Sequence, residues 1–207
     1  MEKIATSFKP KEATRKLLSV LTKRGQDVIA SRYGLGAKAQ KLTLDAIGKK
    51  YGITRERVRQ IENHSLAAIR KSKAYKEAEA VFAELKDIIN ALGGIVSEKD
   101  LLKHLAKEPA IQNHYHFLLV IGEEFKREKE DDEFHHRWHV DQVLADKIQN
   151  TLRKLYSKLT DDELVIEGDL ISSFLEEVKD LNEKYKDEEI IKRWLGISHK
   201  IGKNPLG

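Results

Sequence analysis

Apolar positions recur at helical spacing along most of this chain, and that pattern sets the first expectations. After Pro10, the residues Leu17, Leu18 and Leu21, with Val20 beside them, predict a first helix running up to "TKRGQ". Val28, Ile29 and Tyr33 in "GQDVIASRYG" predict a second helix that stops at Gly34, and "LGAKAQKL" reads as a loop bearing Gly and Lys. Leu44, Ile47, Gly48 and Tyr51 fall at i, i+3, i+4 and i+7, predicting a third helix with Thr43 as its N-cap. Gly52 suits the left-handed residue that closes such a helix. Thr54 then caps "TRERVRQIENHSLAAIR" (54–70), the fourth predicted helix. A helix, a short glycine turn and a second helix is the spacing of a helix-turn-helix.

Beyond a helical connector, "KSKAYKEAEA" (71–80), the pattern repeats. "LKDIINALGGIVSEKDLLKHL" (85–105) lies over "LRKLYSKLTDDELVIEGDLISSF" (152–174), so that Glu98, Asp100 and Leu101 match Glu167, Asp169 and Leu170. Each copy continues into a third helical pattern, "HYHFLLVIGEEF" in the first and "DEEIIKRWLGI" in the second. In the first copy, alternating residues then flank a turn-like "EDDE" in "FKREKEDDEFHHRWHV", which reads as a β-hairpin. Three helices and a hairpin make a winged helix. The second copy reaches "ISHKIGKNPLG" where its hairpin should begin, so the expectation is a module cut in its wing and a longer natural protein. The expected fold is mainly α: a helix-turn-helix bundle at 1–72, a winged helix at 73–140, and a second, truncated winged helix at 141–207, as a tandem repeat of ~65 residues.

On a wheel starting at Arg55, the residues Val58, Ile61, Ser65, Ala68 and Ile69 share one sector, able to pack on Leu44, Ile47 and Tyr51. Arg55, Glu56, Arg59 and Gln60 share the opposite sector. A recognition helix needs long polar side chains at its N-terminal end and an apolar face behind them. The wheel alone fits a solvated helix laced by i,i+4 ion pairs equally well. Charge shifts the balance. The 207-residue chain carries a net +4, but residues 1–75 hold 18 Lys and Arg against 6 Asp and Glu, whereas residues 76–207 hold 20 against 28. A basic first third is an electrostatic footprint for a polyanion, and an acidic remainder opposes phosphate contact and favours protein partners.

The stretch "LTKRGQDVIASRYGLGAKAQKLTLDAIGKKYGITRERVRQIENHSLAAIRK" (21–71) resembles region 4 of sigma-70-type bacterial sigma factors, through "RYGL", "TLDAIGKKYGI" and "TRERVRQIE" in order. That resemblance implies a second motif helix in the major groove of a −35 promoter element and packing against the β flap of RNA polymerase. It places base reading on Arg55, Glu56, Arg59 and Gln60, and phosphate contact on Thr43 and Arg57, with Lys41 and Lys49 as further positions. The module stands at the front of this chain rather than at the end, and nothing else here resembles the parts that melt a promoter. The expectation is therefore a promoter-binding regulator or polymerase-associated factor rather than an initiation sigma factor. The rivals are a sigma-mimicking adaptor that grips polymerase without reading DNA, and an RNA binder. The later modules resemble the HARE-HTH family, which includes the N-terminal domain of the RNA polymerase delta subunit, through "GGIVSEKDLLKHL", the third helix and the wing with Trp138.

Other features narrow the reading. The chain has no Cys, hence no thiolate ligand or nucleophile. His114, His116, His135, His136 and His139 are dense, but His135 and His136 are adjacent in a predicted strand and point to opposite faces, so no metal site is expected. Trp138 and Trp194 read as core anchors. "RYGLGAKAQK" and "IGKNPLG" lack the order of a phosphate-binding P-loop, and no carboxylate pair stands in a general acid–base context. The expectation is no enzyme, no cofactor, no small-molecule substrate and no membrane partner. The sequence predicts a monomer, for want of a long heptad run, working in the cytoplasm on nucleoid DNA.

Overall fold

The computed structural model describes residues 6–37, 39–159 and 165–201. Among them the chain is mainly helical, with a small antiparallel sheet, and clusters into two compact units: residues 1–85 with 102–124, and residues 86–101 with 125–207.

The first unit begins with α1 (Pro10–Leu18), α2 (Lys23–Tyr33), α3 (Leu44–Tyr51) and α4 (Arg55–Arg70). Three threonines start three of them. Thr22, Thr43 and Thr54 each sit outside the helix and accept an N–H three residues on, from Gly25, Ala46 and Arg57. Gly34 and Gly52 end α2 and α3 in the left-handed conformation, at φ 65° and 62°. The first helix is shorter than its apolar spacing predicts. It stops at Leu18, where the Ser19 N–H reaches back to Arg15 and Lys16 carbonyls, and Val20 is left exposed. The second starts earlier than predicted, at Lys23, because Thr22 is its cap. Val28, Ile47 and Val58 form the core of the helix-turn-helix, with Leu42, Leu44, Tyr51, Ile53 and Ile61 packed around them.

The expected connector holds α5 (Lys73–Glu77), capped by Ser72, and runs into α6 (Glu79–Ala91), which carries the first helical stretch of the repeated pattern. Chain order then runs β1 (Ile95–Ser97), α7 (Glu98–Leu105), α8 (Pro109–Ile121), β2 (Lys126–Glu128) and β3 (Arg137–His139). The sheet order is β1-β3-β2, antiparallel throughout, with Val96 and Arg127 both opposite Trp138. This is the element order of a winged helix, with the predicted hairpin in place. The three-module expectation kept residues 102–124 apart from residues 1–72. In the structure they cluster with residues 1–85, and α8 packs on α1, α2 and α4.

In the second unit, α9 (Gln142–Ser157), α10 (Glu167–Glu177) and α11 (Glu188–Leu195) follow the sheet, with a 3-10 turn at Glu183–Tyr185. Glu98 opens α7 and Glu167 opens α10. The start of "LVIEGDLI" and the end of "ISHKIGKNPLG", where a second wing is expected, fall in 160–164 and 202–207, which lie outside the described residues. Trp138 and Trp194 are both buried, as expected of anchors. Trp194 packs with Phe174, Ile191 and Ile148, and its Nε1 donates to the Gly93 carbonyl at 3.1 Å. Gly93 has φ 113°, and a Cβ there would sit 2.8 Å from Trp194 Nε1 and from Ile190, so this turn admits only glycine. His135 and His136 lie before β3 rather than in it, because β2 runs out at Glu128 and β3 begins only opposite it, at Arg137.

Candidate nucleic-acid interface

The geometry rests on how closely α3 and α4 meet. Gly48 lies in the last part of α3 facing the turn, and a Cβ on it would be 2.6 Å from the Ile53 carbonyl oxygen. The turn can cross the helix there only because no side chain intervenes. The Ile53 N–H donates to the Gly48 carbonyl at 3.0 Å, and Thr54 then starts α4.

From that start, Val58, Ser65 and Ile69 face inward and are buried, while Arg55, Glu56, Arg57, Arg59 and Gln60 are all exposed on the first two turns. Thr43, Lys41 and Lys49 are exposed on and before α3. The Thr43 hydroxyl accepts the Ala46 N–H at 3.1 Å, which leaves its own hydrogen to donate outward. The exposed polar groups of α4 pair along the helix. Arg59 grips Glu56 with two bonds, Nε to Oε2 at 2.8 Å and Nη2 to Oε1 at 2.7 Å. Arg57 Nη1 donates to Gln60 Oε1 at 3.1 Å. Hydrogen bonding from Arg59, with its charge behind it, holds the Glu56 carboxyl below the usual carboxylate range, and Arg55 adds to the effect.

Three supports of this surface were not foreseen from the sequence. Glu62 is buried at the edge of the apolar face, where Tyr33 donates its hydroxyl to Glu62 Oε1 at 3.1 Å and Arg32 Nε lies 3.5 Å from it. Burial, then the neighbouring Glu62, push the Tyr33 phenol up. The wheel held the signal, since Glu62 falls beside Val58 and Ile69, a position that a carboxylate occupies only with partners. Arg70, the one basic residue in the last turn of α4, donates to the Val120 and Ile121 carbonyls at 2.9 and 3.1 Å, and so serves the end of α8. Asn113 on α8 donates to the carbonyls of Gly34 and Ala39 at 3.0 and 2.8 Å, holding the loop between α2 and α3. Both contacts join segments far apart in the chain, so local periodicity carries no sign of them.

The histidines separate. His114 and His139 are buried, in different units, whereas His135 is exposed beside a residue that sequence reasoning passed over, His199.

Comparison with known proteins locates one segment. Residues 17–71 match the family model of sigma-70, region 4. The chain is 40% identical over 70 residues to RNA polymerase sigma factor SigA of a Bacillus species, covering 32% of this chain and 18% of that protein. SigA of Clostridium acetobutylicum gives the same identity and coverage. The principal sigma factor HrdD of Streptomyces viridifaciens is 42% identical over 55 residues, covering 27% of this chain and 16% of its own length. The chain thus spans under a fifth of the length of the curated relatives it matches. No solved structure matches. The segment that is similar to sigma-70, region 4 contains the capped helices, the Gly48 crossing and the exposed start of α4.

Proposed function

We propose that this protein is a bacterial transcription regulator or RNA polymerase-associated factor that binds duplex promoter DNA through α4. The observation that carries this reading is the exposed set Arg55, Glu56, Arg59 and Gln60 at the start of a capped second motif helix. Arg55 and Arg59 suit the O6 and N7 of guanine, Gln60 suits adenine, and Glu56 accepts from cytosine N4. Arg57 and Thr43, with Lys41 and Lys49, contact phosphates, and the duplex is a −35-like element. Reading requires Arg59 to exchange its bidentate grip on Glu56 for a base edge. The names of the relatives, all sigma factors of RNA polymerase, support polymerase as the protein partner, and the β flap is the surface that the resemblance to region 4 implies. The acidic modules, whose sequence resembles HARE-HTH, serve protein contacts, and the protein works as a cytoplasmic monomer.

The test is a titration of −35-containing duplex with wild type, Arg55→Ala and Arg59→Ala. Each variant should lose about 1–3 kcal/mol of discrimination against a mismatched site. Lys49→Ala should weaken all duplexes alike and lower the salt slope by about one. Variants that bind as wild type does would remove α4 as the reading helix.

The second reading is a polymerase-binding sigma mimic that does not read DNA. It draws on the way Arg59 is already satisfied by Glu56, and Gln60 by Arg57. Capture of the β flap together with a flat salt response toward duplex would favour it.

A further inference from the structure

The turn between β2 and β3 is paired with the segment that follows α11. The His135 N–H donates to the Ile197 carbonyl and the His199 N–H to the Glu133 carbonyl, each at 2.9 Å, and Phe134 and Ser198 form an antiparallel bridge. This short ladder sets His199 beside His135 across 64 positions of chain. Their rings lie 3.8 Å apart between centroids. Glu130 faces both: His199 Nε2 is 3.1 Å and His135 Nδ1 is 3.7 Å from Glu130 Oε1. One ligand atom from each of the three residues falls within a set no more than 4.8 Å across. Glu130 and His135 are exposed and His199 is half-buried, so an ion has a path in. His136 steadies the carboxylate's own residue, its Nδ1 accepting the Glu130 N–H at 2.6 Å.

We propose that Glu130, His135 and His199 bind a divalent transition-metal ion of the zinc class. Tetrahedral bonds of ~2.0–2.2 Å place neighbouring ligand atoms ~3.4 Å apart, and the two measured separations from Glu130 lie on either side of that value. Two imidazole nitrogens and one carboxylate oxygen suit zinc, copper or nickel, whereas calcium and magnesium call for oxygen ligands throughout. Three protein ligands leave a fourth position for water. The ion would clamp residues 197–199 to the wing turn, adding a bond to a ladder that rests on two backbone hydrogen bonds.

The experiment uses the full chain, freed of metal with a chelator and titrated with zinc chloride by calorimetry, with cobalt absorption as a report on geometry. One equivalent should bind, raise the thermal midpoint by mass action, and give the strong visible bands of tetrahedral cobalt. Glu130→Gln and His199→Gln should each weaken uptake by at least about tenfold, with unchanged far-UV circular dichroism showing that the variants fold. His64→Ala, an exposed histidine on α4, should bind as wild type does. The proposal is overturned if no single-equivalent uptake occurs, if Glu130→Gln and His199→Gln leave uptake unaltered, or if His64→Ala lowers it equally.

Discussion

Two helices hold the same place in chain order and have opposite surfaces. α4 follows α3 across a glycine turn, and α8 follows α7 and leads into the wing hairpin, where a winged helix carries its reading helix. Five of the first six residues of α4 are exposed, and all five are charged or amide side chains. From Ala110 to Ile121 no residue of α8 is exposed, and α8 contains no Lys, Arg, Asp or Glu. Instead it packs on α1, α2 and α4, with Phe117 edge-on to Tyr33 at 5.3 Å between centroids and Tyr115 edge-on to Phe8 at 6.0 Å. Chain order alone therefore does not say which helix can enter a groove. A helix without Lys or Arg and with no exposed residue from Ala110 to Ile121 supplies core, and α8 also braces the helix-turn-helix through Asn113 and by receiving Arg70.

The largest effect that could break this contrast is the loss of Phe117, which is fully buried. Phe117→Ala should lower unfolding free energy by about 3–5 kcal/mol in urea, as a cavity in a packed core does. Arg59→Ala, on an exposed face, should stay within about 0.5 kcal/mol of wild type in the same assay. A Phe117→Ala protein with unchanged stability and lost duplex binding would give α8 the reading role instead.

A smaller effect sharpens the contrast from the side of α4. Gly48→Ala puts a methyl group against the backbone oxygen of Ile53, a neighbour that cannot rotate away. The expected cost is about 1–3 kcal/mol in stability, as for overpacking elsewhere. Because the displaced segment is the turn that aims α4, duplex affinity should fall in the folded population too. Unfolding curves and a duplex titration made well below the urea midpoint separate the two losses. Wild-type affinity in the folded variant would mean that the turn does not set the direction of α4.

The helix-turn-helix was legible because its determinants are local. Thr43, Thr54, Gly34 and Gly52 cap and close helices through neighbours within five residues, and the apolar sector of α4 follows from a fixed rotation per residue. The wing hairpin was legible from alternation for the same reason. What escaped the sequence depends on contacts between distant segments. The wheel puts Glu62 beside the apolar sector of α4, but its partners Tyr33 and Arg32 lie on α2, about 30 positions earlier in the chain. The clustering of α8 with α1–α4 is decided by which apolar faces fit, and a helix that is apolar on most sides gives no direction. His135 and His199 meet only because the segment after α11 returns to the wing turn.

The smallest expected effect is a pH dependence carried by His114, and it tests whether α8 is core under all conditions. His114 is buried on α8, its Nδ1 has no hydrogen-bond partner among the described residues, and α1 turns Lys11 and Arg15 toward the same cleft. Burial, and secondarily the Lys11 charge, push the imidazole below its ordinary value of 6.5. A depressed histidine binds fewer protons in the folded chain than in the unfolded one, between its folded value and about 6.5. Stability from this group is therefore complete above about pH 6.5, falls as the pH drops through the window below it, and levels off beneath the folded value. The urea midpoint of the wild type should decline from pH 7 toward pH 5. His114→Gln should flatten that decline, and Lys11→Ala should flatten it by less, since charge is the second cause and burial the first. A His114→Gln protein that declines as steeply as wild type would show that the imidazole gains its proton without opening α8. The cleft between α1 and α8 would then be solvated, and the contrast between the two helices would be weaker at that end.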